Sequence, residues 1–422
     1  MQLHIRKARV IDPQSKHHDK VVDLIVEDGI ITAIGATVKA KADMVIEAKG
    51  LCVSPGWVDV FADYREPGFE HKETIESGLA TAAAGGFTDV LLAPNTQPAL
   101  STKSIIQYVL GKANGNIVSL HPIGTISQNT EGKDLAEMLD MRANGAVAFS
   151  DGWKPVQQAS LILKALEYVK AFHGIVIGLP VDASLAAGGL MNEGVVSTGL
   201  GMAGVPELAE TIMLHRDIEL VRYTGSKLHV TGISTATSVE MIRKAKAEGL
   251  AITCSVTPYH LALTDDALTS YDSIYKVTPP LRTEADRQAL IAGVQDGTID
   301  CIASHHRPQE WDAKAKEFEY AADGMAVQQS TFNILWDALK EYITPERLVE
   351  IMSVIPRDIF GLEMQEIKKG SPATLTLFTT TGKHTLNKAA VRSASHNDPF
   401  IGKELAGKVV GIINHSQIHL NK

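Results

Sequence analysis

Eight short apolar runs punctuate this sequence, and their spacing leaves few folds open. From Val53 onward they read "VSPGWVDVFA", "FTDVLLAP", "IVSLHPIGT", "AVAFS", "GIVIGLP", "KLHVTGIS", "AITCSVTP" and "IDCIAS". The runs are apolar throughout instead of alternating, as parallel strands covered on both faces are. The stretches between them, such as "KETIESGLATAAAGG" and "ATSVEMIRKAKAEG", carry apolar residues three and four apart and end on glycine. Eight such units predict a (β/α)8 barrel over residues 53–366, with a doubly wound open sheet as the alternative that the same pattern allows.

A barrel of this kind commonly uses about 250 residues, and the chain has 422, 45% of them hydrophobic. The surplus lies at the two ends. Residues 1–52 and 367–422 alternate apolar and polar in short segments such as "ATLTLFT" and "GKVVGIINHSQIHL", so both termini are expected to build one small β domain. The net charge of -9 and the absence of any Lys/Arg-dense stripe with aromatics argue against a nucleic-acid surface. A small molecule or another protein is the expected partner, and self-association as a homodimer is common for barrels. Cys52, Cys254 and Cys301 stand far apart in apolar runs and read as reduced core residues. With no signal-like apolar core at "MQLHIRKARVID" and no apolar run of about 18 residues, a cytoplasmic protein outside the membrane is expected.

In a barrel of this type the chemistry sits where the strands end, so the last residues of each run matter most. The segments "REPGFEHKETIESGLATAAAGGFTDVLLAPNTQPAL", "GAVAFSDG", "SLAAGGLMNEG", "AITCSVTPYHL", "KVTPPLR" and "SHNDPF" occur in this order along nearly the whole chain. Together they resemble a dihydroorotase of the cyclic amidohydrolase superfamily. The resemblance implies a two-zinc hydrolase of pyrimidine biosynthesis that closes carbamoyl-aspartate to dihydroorotate and opens it again. Such an enzyme lowers the pKa of a bridging water and polarises the amide carbonyl. The family takes its ligands from a His-x-His on the first strand, an Asp or carboxylated Lys on the fourth, single histidines on the fifth and sixth, and an Asp on the eighth.

Carried over residue by residue, the ligand positions fall on Phe61, Asp63, Asp151, Leu179, Gly232 and His305, and only Asp151 keeps the family's residue type. The eighth-strand motif reads "SHHRPQ" where "TDHAPH" is typical. Leucine and glycine offer no donor atom, so a second ion would retain only Asp151. Asp63, Asp151 and His305 remain as an O, O, N set for at most one zinc ion, and otherwise no cofactor is expected. His229, His260 and His306 read as structural. The residues implied to hold the substrate carboxylate are Arg65 and Asn95, with Gln309 standing for a family histidine and Thr278 for the Asn of "KVNPPLR".

Three functions are left open. The chain is expected to be a catalytically inactive homologue acting as a structural partner, with aspartate transcarbamoylase implied by the resemblance. Alternatively it is an active dihydroorotase or related cyclic amidase with one metal ion, or a binder of a small acidic ligand through Arg65 and Asn95.

Overall fold

The computed structural model describes residues 1–39 and 41–421. Its centre is a parallel eight-stranded barrel: β1 Trp57–Ala62, β2 Phe87–Leu92, β3 Ser119–Gly124, β4 Ala148–Phe149, β5 Val176–Gly178, β6 Leu228–Thr231, β7 Ile252–Val256 and β8 Cys301–Ile302. Each strand pairs with the next in sequence, and the ring closes where Ala62 bridges His306 and Asp63 N–H donates to the His306 carbonyl at 2.9 Å. This is the barrel that the eight runs predict, and the open doubly wound sheet is excluded.

The first run belongs to two sheets. Leu51–Pro55 pairs antiparallel with Leu375–Thr385 in the terminal sheet, and the barrel begins only at Trp57. Gly56 makes the crossing, because a Cβ there would stand 2.1 Å from the Thr88 hydroxyl. Both termini contribute to the terminal sheet, whose path runs Gln417–Leu420, Glu404–Asn414, Leu375–Thr385, Leu51–Pro55, Gln2–Val10, Val21–Glu27 and Ile30–Gly35, with Met44–Ile46 on Gln2–Val10.

The helices follow local sequence signals. In Ile75–Gly85 the Thr74 hydroxyl accepts from Ser77 N–H, and Gly86 ends the helix at φ 91°. In Ala236–Ala247, Thr235 caps the start by accepting from Ser238 N–H. Inside the barrel one apolar cluster joins Phe360, below, through Ile177, Ile123 and Cys301 to Phe61 at the upper end of β1. All three cysteines are buried and free, and no helix among the described residues is long and apolar enough to cross a membrane.

Candidate functional site

The residues at the C-terminal ends of the strands are closed in. Phe61, Asp63 and His305 have no exposed surface, and Asp151 and Leu179 are buried. The Phe61 ring extends the barrel core into the mouth and meets Trp153 edge-on at 5.2 Å and His305 at 5.1 Å. Trp153 in turn stands edge-on to His305 at 5.0 Å, so three rings pack against one another. The Arg307 guanidinium lies over the Trp153 ring, 4.6 Å from its centre.

The three polar residues expected to share an ion face separate partners. Asp63 Oδ1 accepts from the Arg65 amide at 3.0 Å, and Oδ2 accepts from Trp153 Nε1 at 3.1 Å and pairs with Arg65 Nη1 at 3.1 Å. Asp151 Oδ1 accepts from the amides of Ile126 and Ser127, both at 2.9 Å, and Oδ2 from the Ser127 hydroxyl. Burial pushes the Asp151 carboxyl up from its usual range while these hydrogen bonds pull against it. His305 Nε2 bonds the Thr231 hydroxyl at 2.7 Å, and its buried Nδ1 has no partner. Burial, reinforced by His260, Arg307 and His229, holds the His305 imidazole well below its usual value, which keeps it neutral near pH 7.

The expected O, O, N set is therefore not assembled: both carboxylates are taken up by their own neighbours, and His305 turns Nε2 to Thr231 with Nδ1 left unpartnered. Among the described residues no three His, Cys, Asp or Glu side chains are arranged to hold a metal ion. A two-metal centre also fails on the donor set itself. Leu179 has none, and at Gly232, in the left-handed region at φ 71°, an added Cβ would meet His305 Cε1 at 2.5 Å. Any side chain at 232 collides with the imidazole now in place.

The four carboxylate-holding candidates divide in two. Arg65, left-handed at φ 62°, pairs with Asp63 and donates Nε to the Pro308 carbonyl at 3.3 Å. Asn95 donates to the Asp151 carbonyl and accepts from Trp153 N–H, both at 2.9 Å, so it joins two loops. Thr278 and Gln309 meet at Asp323: Thr278 donates to its carboxylate at 2.8 Å, and Gln309 Nε2 to its carbonyl. Thr278 and Asp323 line a cavity of about 190 Å³, walled also by Pro180, Leu190, Val277 and Arg282.

The histidines read as structural have internal partners. His229 spans Thr253 and Ser255 at 2.9 and 3.0 Å, and burial drives its pKa down to about 3. His260 sits between the Thr257 hydroxyl and the Pro280 carbonyl, pushed by burial to about 4. His306 faces Glu73 at 3.4 Å. Sequence reasoning passed over Trp153 and Arg307. Their signals were present: a tryptophan directly after "FSDG", and an arginine where "TDHAPH" has alanine.

Comparisons with known proteins agree with this architecture. A family model described as "Dihydro-orotase-like" matches residues 50–238. The dihydroorotase of Acetivibrio thermocellus is 40% identical over 408 residues, 96% of each chain, and that of Syntrophus aciditrophicus 39% over 414 residues, 97% of each. Among solved structures, the L-hydantoinase (dihydropyrimidinase) of Arthrobacter aurescens superposes with a TM-score of 0.85 at 22% identity, covering 100% of this chain and 96% of that one. The dihydropyrimidinase of Brevibacillus agri gives 0.85 at 21%, covering 100% and 95%, and both are likenesses of fold. Identity of this level along the entire barrel and both halves of the terminal sheet means that the chain belongs to the dihydroorotase family.

Proposed function

We propose that this dihydroorotase-family chain does not hydrolyse dihydroorotate and is retained in pyrimidine biosynthesis as a structural partner of another protein, with aspartate transcarbamoylase the first candidate. The observation that carries the reading is the packed mouth: Phe61, Trp153 and His305 fill it, and Leu179 and Gly232 bring no donor. Without an ion beside it, water keeps close to its bulk pKa and supplies almost no hydroxide near neutrality. The partner rests on a weaker argument. A barrel mouth closed by apolar volume favours stability over chemistry, and a stable non-catalytic barrel is useful chiefly through its surface. A second copy of the chain is the other occupant of such a surface.

One observation favours a second reading, an active dihydroorotase or related cyclic amidase with an unusual metal site. The relatives that match 96–97% of this chain at 39–40% identity carry the name dihydroorotase. Metal analysis combined with a dihydroorotate hydrolysis assay on the zinc-supplemented protein separates the two. Turnover at background with less than one metal per chain is expected, whereas appreciable turnover would establish the second reading. Co-purification from the native host addresses the partner. A transcarbamoylase that keeps its full assembled size and activity in cells lacking this chain would remove that part of the proposal.

A further inference from the structure

We propose that Arg307 forms a binding site for a small oxyanion, a carboxylate or a phosphate, at the mouth of the barrel. The inference goes beyond the function proposed above and holds whether or not the chain turns over a cyclic amide.

The buried arginines around the barrel face carboxylates: Arg65 pairs with Asp63, Arg282 with Glu210 and Arg357 with Asp89. Arg307 differs. Among the described residues its side chain makes no hydrogen bond or ion pair, and its Nε is buried without a partner. Only its Nε is sealed in this way, and the residue as a whole is half-buried. The nearby carboxylates are engaged elsewhere, Asp63 with Arg65 and Trp153, and Asp323 with Thr278. They act on Arg307 only through space, against the like charge of Arg65.

The guanidinium is also held in place. Its face rests on Trp153, which is itself fixed by the bond from Nε1 to Asp63 and by the edges of Phe61 and His305. Its stem passes against Gly324, at φ 128°, where an added Cβ would lie 2.9 Å from Arg307 Cβ and 2.6 Å from its carbonyl oxygen. Asn397 anchors that carbonyl at 3.0 Å. A half-buried guanidinium with a sealed Nε and no protein acceptor is poorly satisfied, and the like charge of Arg65 nearby adds to the cost. A planar oxyanion relieves this with two parallel charge-assisted bonds, which a guanidinium is shaped to make and an ammonium is not.

The test uses the full chain, titrated at constant ionic strength with inorganic phosphate and, separately, with succinate. The readouts are tryptophan emission, to which Trp153 contributes from directly beneath the guanidinium, and the thermal midpoint. A saturable response to at least one anion is expected, and the stronger of the two identifies the source. Arg307→Met keeps the stem packed on Trp153 and Gly324 and should weaken binding by about tenfold or more. Arg307→Lys retains charge without the fork and should fall between them. No saturable response in the native chain, or native affinity in Arg307→Met, would overturn the site. If Arg307→Met does not fold, undiminished affinity in Arg307→Lys overturns the bidentate geometry instead.

Discussion

Gly232 and His305 are tied by geometry, and position 232 cannot regain a side chain while the His305 imidazole stays in place. At φ 71° residue 232 already disfavours a side chain, and a Cβ would collide with His305 Cε1. Gly232→Ala should therefore combine backbone strain of about 1–2 kcal/mol with overpacking of about 1–3 kcal/mol. In a His305→Ala background only the first term remains. Urea denaturation of the four proteins in this cycle gives the coupling directly, and equal costs in both backgrounds would mean that the imidazole swings aside freely. The same reasoning applies to catalysis. His305→Asp restores one family ligand but leaves Phe61, Leu179 and Gly232 without donors and Asp63 bound to Arg65 and Trp153. Groups that act as a unit are strongly non-additive, so dihydroorotate turnover in His305→Asp is expected to stay at background. Phe61→His, Asp63→His, Leu179→His and Gly232→His must accompany it before a two-ion site has its donors, and Trp153 must leave the space.

The segment that returns from the terminal sheet to the barrel mouth carries a buried acid. In "SHNDPF" the Asp398 carboxylate accepts from the Ser330 hydroxyl at 2.6 Å and the Phe400 amide at 2.8 Å. Burial outweighs these bonds and raises its pKa to about 6 from the 3.8 of a free carboxyl. The folded state thus holds this proton more tightly than the unfolded one, so the contribution is stabilising at low pH and is lost as pH rises from about 4 to about 6. It amounts to about 3 kcal/mol at most. Asp398→Asn should flatten that part of the stability curve, as chemical denaturation at a series of pH values would show; an unchanged difference between mutant and native chain across the window would refute it. This element was legible as a motif, but not its burial, because the partners come from Val327–Ser330 and from the chain's own turn. Strands were read well where both faces are covered, since continuous apolar runs leave little choice of structure. Alternation was a poorer guide in the terminal sheet, where Val22, Asp23, Leu24, Ile25 and Val26 are all buried in succession. At the site, the substituted ligand positions could be read from sequence order. The direction of the Asp151 carboxylate and the Trp153–Arg307 stack could not, because both depend on loops brought together only by the closed ring.

For the whole molecule, the question is what holds the barrel mouth closed. In a metal-dependent barrel a tightly bound ion stabilises the native state by mass action, about 4 kcal/mol at a thousandfold excess over its dissociation constant, and chelation removes that term. Here the interior contact runs without interruption from Phe360 to Phe61 and on to Trp153 and His305. Such packing needs no ion, and filling the space with rings in place of unpaired buried charges is neutral or favourable. The thermal midpoint is therefore expected to stay within about 1 °C on addition of EDTA or zinc, because a domain of this size shifts by roughly 2 °C per kcal/mol. Phe61→Ala, in contrast, should cost about 3–5 kcal/mol by opening a cavity between the core and the mouth. A fall of several degrees with EDTA in the native chain would mean that an ion contributes after all. A near-neutral Phe61→Ala would mean that the rings merely occupy the mouth and the terminal sheet and outer helices carry its stability.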